Sequence, residues 1–292
     1  MSIVDDIARA LSVSNATVSR ALNDRPGVSR ALREQILDKA RELNYTPNMN
    51  ARGLATAQTF NIGFFFHPKP GLPAPSDPFY AEILHSVQHV IARTDYHIAF
   101  EALTDDSLSR PSEFRFVRER RIDAMILAGP DIPASFITAM SHSELPIVLV
   151  DNRLDFLPIN CINSDDEDGA YRAAQYLIDC GHRSIGVIAG PMTWASTARR
   201  VRGYQRALNA HDLPLMTVHT EETSIESGRD AYQRLIAQQP SLTALCAVND
   251  SMAIGAIREA RSQGRAIPDD LSMRSTGPVT TWVAATRGLL AE

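Results

Sequence analysis

From its first residues the chain repeats apolar positions at helical spacing. Ile7, Ala8 and Leu11 fall on one face of a short helix opened by Asp5 or Asp6. Ser12-Val13 supply a turn, and Ser14 stands where a hydroxyl can accept a free backbone N–H at the start of a second helix. In that helix Val18 and Leu22, four residues apart, face inward, while Asn15, Ala16, Thr17 and Arg20 fall on the opposite side. Pro26-Gly27 interrupts the pattern. Ser29 then caps a third helix over 30–43, with Leu32, Ile36, Ala40 and Leu43 as its apolar stripe. Two short helices and a tight turn, the second helix bearing small and polar side chains with one arginine, form the layout of a helix-turn-helix whose second helix lies in the DNA major groove. An amphipathic helix with a solvated face is the plainer account of the same residues.

After this small headpiece, residues 47–59 offer Pro47 as a helix start but hold Gly53 within only about two turns, too short to stay helical unless something holds it. From Asn61 the pattern changes. Strands are predicted at 62–66, 97–102, 124–127, 147–150, 185–189 and 245–248, and helices at 79–94, 112–119, 134–141, 167–180, 199–211, 227–238 and 250–263. Strands alternating with helices over more than one cycle predict two doubly wound parallel sheets, an α/β core behind an all-α headpiece. Ser164-x-x-Glu167 reads as a capping box rather than a metal site, and Arg118-Glu119-Arg120-Arg121 as the solvated end of a helix rather than a second nucleic-acid patch.

Charge sharpens this picture. Residues 1–59 hold eight Arg/Lys against six Asp/Glu, a net of +2, although the 292-residue chain carries −5 overall. A mildly basic head on an acidic body suits a protein that meets phosphates only through its N-terminus. No apolar run approaches the roughly 20 residues that span a bilayer, and the opening Met-Ser-Ile-Val-Asp-Asp has neither the basic nor the apolar part of a signal peptide. Cys161, Cys180 and Cys246 show no metal-ligand spacing and fit buried thiols in a reducing cytoplasm. No P-loop, GxSxG elbow or HExxH is present, so neither enzyme chemistry nor any cofactor or metal is called for.

Several segments together resemble the lactose/galactose-repressor (LacI/GalR) family of bacterial transcription regulators. Residues 14–23, Ser-Asn-Ala-Thr-Val-Ser-Arg-Ala-Leu-Asn, are similar to its recognition helix. Leu43-Asn44-Tyr45-Thr46-Pro47-Asn48 and Ala51-Arg52-Gly53-Leu54 resemble its linker and hinge helix. Asp77-Pro78-Phe79-Tyr80-Ala81-Glu82, Gly181-His182-Arg183-Ser184-Ile185 and Val248-Asn249-Asp250-Ser251-Met252-Ala253 resemble landmarks of its sugar-binding core, in the family's order. The resemblance implies a helix-turn-helix DNA-binding domain over 1–46, a hinge over 47–59, and a periplasmic-binding-protein-like domain for effector binding and dimerisation over 60–292, with subdomains at about 60–159 and 160–292. It also implies a homodimer on a near-palindromic DNA operator, and a small-molecule effector of carbohydrate type.

On the DNA side the resemblance points to Ser14, Asn15, Ala16, Thr17, Ser19, Arg20, Asn23, Asn48, Arg52 and Leu54. Arg20 would meet a guanine edge or a phosphate, and Leu54 would enter the minor groove as an apolar wedge. For the effector it points to Tyr80, Asp151, Asn152, Trp194, Ser196, Arg200 and Asn249. The bland alternatives are core packing for Tyr80, a salt bridge for Arg200 and a turn or N-cap for Asn249. After Met273 the resemblance stops, and Gly277 stands where a ligand-binding aspartate is expected. That ending reads as truncated by a frameshift or early stop, and is predicted to leave both sheets short of their closing strands. A non-functional regulator, or a sugar-binding protein without regulatory activity, is the alternative function.

Overall fold

The apolar stripes of the N-terminal segment fold as three helices, α1 (Ile3–Ala10), α2 (Asn15–Leu22) and α3 (Arg30–Glu42). The structure is a computed structural model that describes residues 3–45, 52–53, 56–68 and 78–277. The chain divides into two compact units, Met1–Phe60 and Asn61–Glu292. In the first unit Ile7, Val18 and Ile36 are fully buried, and Leu11, Leu22, Leu32 and Leu43 pack around them half-buried. Ala21 lies deeper than Leu22. Helix α1 begins at Ile3, not at Asp5 or Asp6; those acids occupy its first turn, where the helix dipole favours them. Ser14 and Ser29 act as the predicted caps, accepting the Thr17 and Leu32 N–H groups at 3.1 and 3.4 Å.

The second unit contains two parallel sheets. The first comprises β1 (Asn61–Phe66), β2 (His97–Ala102), β3 (Ala124–Ala128), β4 (Ile147–Val150) and β5 (Asn160–Ile162), in the order β2-β1-β3-β4-β5. The second comprises β6 (Ile185–Ala189), β7 (Met216–His219), β8 (Ala244–Ala247) and β9 (Ser272–Ser275), in the order β7-β6-β8-β9. In each the strand order reverses beside the first strand, and open α/β sheets take ligands at the carboxyl ends of strands next to such a reversal. Strand β1 is apolar on both faces because both are covered: Phe64 and Phe66 pack in one core, while Phe65 packs in another against Phe114 and Phe116.

Connecting helices are α4 (Pro78–Ile91), α5 (Asp105–Ser109), α6 (Arg115–Arg118), α7 (Ala134–Ser141), α8 (Asp166–Asp179), α9 (Ala195–Asn209), α10 (Ile225–Gln238) and α11 (Asp250–Ser262). The helix predicted over 112–119 is replaced by α5, a single 3₁₀ turn at Pro111–Glu113 and the one-turn α6. Thr104 caps α5 and Pro111 ends the run. Helix α8 is capped by Asp165, which accepts the Asp168 N–H at 3.2 Å, so the predicted Ser164–Glu167 box does not form. Glu167 instead reaches Arg206 on α9 at 2.8 Å. Helices α8 and α9 approach closely at Gly203, where an added Cβ would come within 2.1 Å of the Glu167 carbonyl oxygen. The basic run at 118–121 is exposed as expected, with Arg121 bonded to Glu119 at 2.7 Å. Only Cys246 of the three cysteines is buried; Cys161 and Cys180 are exposed, contrary to the expectation of buried thiols.

Candidate functional site

On α2 the buried side is Val18 and Ala21, which leaves Ser14, Asn15, Ala16, Ser19, Arg20 and Asn23 exposed and Thr17 half-buried. Local bonds set this face. Asn15 donates to Asp5 on α1 at 2.7 Å, Ser14 and Thr17 share a hydroxyl contact at 2.9 Å, and Asn23 donates to the Ser19 carbonyl at 2.8 Å. Among the described residues the Arg20 guanidinium has no hydrogen-bond or ion-pair partner, so its fork of donors is available to a base edge or phosphate. The turn after α2 is tied to α3 by Arg33, which pairs with Asp24 and donates to the Arg25 carbonyl at 2.6 Å. In the hinge region Arg52 lies over the Phe60 ring at 5.0 Å from its centroid. Asn48 and Leu54 lie outside the described residues.

At the carboxyl ends of the first sheet, Tyr80 is 2% exposed and packs on Phe66, with ring centroids 5.2 Å apart. Its ring is core; its hydroxyl reaches Gly129. An added Cβ at Gly129, where φ is +123°, would lie 2.5 Å from Tyr80 Oη and 2.9 Å from Asp131 Oδ1. Asp151 is half-buried with φ +55°, its N–H donating to the Ile162 carbonyl at 3.0 Å. Asn152 is buried and donates to the Gly129 and Ile132 carbonyls at 2.9 and 3.2 Å, so it holds the loop after β3. Sequence reading missed His67, which lies between Asp131 at 3.0 Å and Asp105 at 3.2 Å. These three follow β1, β3 and β2; the only advance signal was their position just past strand ends.

At the carboxyl ends of the second sheet, Trp194 takes the N-cap position of α9 half-buried, and Ser196 in the first turn is buried. Arg200 donates Nε to Asp166 at 2.9 Å and Nη1 to the Val248 carbonyl, while Arg199 donates to the same carboxylate at 2.9 and 3.1 Å. Asn249 caps α11, accepting the Met252 N–H at 2.9 Å and donating to the Thr223 carbonyl at 3.2 Å. Tyr204 donates to the Ala247 carbonyl at 3.2 Å; burial raises its pKa and keeps the phenol neutral. Burial also pushes the Cys246 thiol up to about 12. Asp250 stands beside Gly277: a Cβ there would sit 2.9 Å from its Oδ2, and its Oδ1 is buried without a hydrogen-bond partner among the described residues.

A three-helix headpiece with an open arginine-bearing face, joined to two reversed-order parallel sheets, can be compared with known proteins. Residues 3–48 match the bacterial regulatory proteins of the lacI family, and residues 72–276 match the periplasmic binding proteins and sugar binding domain of LacI family. The chain belongs to the LacI family of bacterial regulatory proteins. One LacI-family relative, the probable HTH-type transcriptional repressor ExuR of Bacillus subtilis (strain 168), is 34% identical over 94% of this chain and 80% of its own. Catabolite control protein A of Priestia megaterium is 30% identical over 92% of this chain and 80% of its own. The structure of the lac repressor dimer bound to operator and the anti-inducer ONPF is similar with a TM-score of 0.74 and 25% identity, covering 92% of this chain and 80% of that one. LacI-family members are regulators rather than enzymes. No helix among the described residues is long and apolar enough to cross a membrane. Of the residues after Met273, Arg274 and Ser275 continue β9, which pairs with β8 through Ser275, and residues 278–292 lie outside the described residues.

Proposed function

We propose that this protein is a sequence-specific, cytoplasmic transcriptional repressor that binds a near-palindromic operator as a homodimer and answers to a small carbohydrate effector. The observation that carries this reading is the exposed face of α2, with Arg20 left without a partner among the described residues, in the same chain as a sugar-binding type of core. In this reading residues 1–46 bind DNA, 47–59 form the hinge, and 60–292 bind the effector and dimerise. Ser14, Asn15, Ala16, Thr17, Ser19, Arg20 and Asn23 face the major groove, and Asn48, Arg52 and Leu54 act from the hinge. Ordering the hinge costs roughly 1–2 kcal/mol per residue, so an effector that changes the spacing of two hinges in a dimer shifts operator affinity. Coupling of about 1–3 kcal/mol is ordinary for such a link.

For the effector, Asp151, Trp194, Ser196 and Arg200 are the proposed contacts. Tyr80 acts mainly through the packing of its ring, and Asn152 and Asn249 by holding the surrounding loops, because their hydrogen bonds are already taken up within the fold. The test is selection of duplex DNA from a random pool with the full chain. The reading requires recovery of a near-palindromic site, released or tightened by a member of a sugar panel. Recovery of no palindromic site contradicts it.

A further inference from the structure

Asp166 has no exposed side-chain surface, and three guanidinium N–H groups converge on it. Both of its oxygens are used: Arg199 takes Oδ2 with Nε and Nη2, and Arg200 takes Oδ1 with Nε. The charges do not balance. Two cations share one carboxylate, and no other carboxylate among the described residues lies within ion-pair reach of either arginine. Neighbouring Glu167 turns away to Arg202 and Arg206. The surplus charge is also largely removed from water, since the Arg199 and Arg200 side chains are only 21% and 16% exposed. A structural ion pair needs one arginine; the second adds an uncompensated, partly desolvated charge that costs stability until an anion meets it.

The place suits a ligand. Arg200 Nη1 grips the Val248 carbonyl at the carboxyl end of β8, beside the strand-order reversal of the second sheet. Arg199 Nη1 and Arg200 Nη2 have no partner among the described residues, and guanidinium forks match planar carboxylate and phosphate oxygens. Just beyond the same strand, Asp250 Oδ1 is buried with no partner among the described residues, an acceptor that fits a hydroxyl.

We propose that Arg199 and Arg200, oriented by Asp166, bind an anionic group on a polyhydroxylated effector: a carboxylate or a phosphate. Asp166 is a positioning residue here. The inference rests on the effector reading above and narrows it from carbohydrates in general to sugar acids or sugar phosphates.

The test uses the full chain with Trp282→Phe, which leaves Trp194, just ahead of α9, as the only tryptophan. Trp194 fluorescence is titrated with galactose, galacturonate, glucose, glucuronate and glucose 6-phosphate. At least one anionic sugar should bind about ten-fold or more tightly than its neutral parent, the scale of one charge-assisted hydrogen bond. Arg199→Gln should remove most of that preference without weakening neutral sugars, and Arg199→Lys should restore part of it. Neutral sugars binding as tightly as their acids and phosphates would overturn the proposal, as would an Arg199→Gln variant that weakens both classes equally. Binding of no sugar at all would remove the effector reading with it, and retained operator binding in that case would leave the DNA reading intact. If Arg199→Gln fails to fold, the preference of the unsubstituted arginine pair still decides the matter.

Discussion

The headpiece and the core treat their polar side chains in opposite ways. On α2 most of the polar groups are exposed and Arg20 has no partner among the described residues, an arrangement that suits the proposed DNA groove, which would bring its own acceptors. In the core, the polar groups that sequence resemblance marks for a ligand are largely engaged by the fold: Asn152 holds a loop, Asn249 caps a helix, and Arg200 grips Asp166 and Val248. A groove reader can leave its donors exposed since the partner is large and charged. A small-ligand site sits in low dielectric, so its charged groups must be held in place before the ligand arrives.

This contrast predicts that the two regions fail differently when cut. The largest effect should come from Asp166→Ala, which leaves two guanidiniums facing each other with no counter-charge. We expect a loss of about 3–5 kcal/mol in denaturant unfolding of the core, and a loss under 1 kcal/mol would show that water already neutralises the pair. In the headpiece Arg20→Ala should leave stability almost unchanged and cost roughly 1–3 kcal/mol of specific operator binding. Equal weakening on operator and scrambled duplex would assign Arg20 to phosphate rather than base reading.

A smaller effect, and of opposite sign, is expected at Arg274. This residue is 5% exposed on β9, and among the described residues its Nε and Nη1 have no hydrogen-bond partner, while its guanidinium stacks on the Tyr176 ring at 3.7 Å. Arg274→Met should therefore stabilise the core, by about 1 kcal/mol once the lost cation–π contact is set against the unmet donors. Destabilisation in a thermal melt would mean that the stacking outweighs the burial. The mildest test is chemical. Cys161 and Cys180 are exposed and should react with a thiol reagent at pH 8 in the native protein, while Cys246, buried and with its thiol pushed up to about 12, reacts only after unfolding. A third fast thiol would show that the second sheet opens.

The same contrast explains what the sequence disclosed. The helices of the headpiece and their serine caps were legible because their signals lie within four residues of one another, as with Ser14 and Thr17. The buried strands of both sheets were legible as apolar runs. Strands β5, β7 and β9 were not: they are short, among the described residues all three end their sheets, beside β4, β6 and β8, and Asn160-Cys161-Ile162 and Ser272-Met273-Arg274-Ser275 carry little apolar periodicity. Their pairing is fixed by neighbours far along the chain. Arg200 was marked with a salt bridge as one of its readings, but its partner Asp166 and its neighbour Arg199 were missed for a related reason. Asp166 is more than thirty residues from both arginines, and it belonged to a run that local spacing assigned wholly to helix capping. His67 with Asp131, 64 residues apart, is the same kind of omission.

The central claim is that the exposed face of α2 reads DNA, and Ala16 tests it most directly. Its side chain is exposed near the start of the helix, so Ala16→Glu should leave the unfolding free energy unchanged to within about 0.5 kcal/mol. Fluorescence anisotropy on the selected operator should then show affinity falling by about 100-fold or more, as an acidic side chain meets the phosphates and base edges. Unchanged operator binding by a well-folded Ala16→Glu protein would contradict the account.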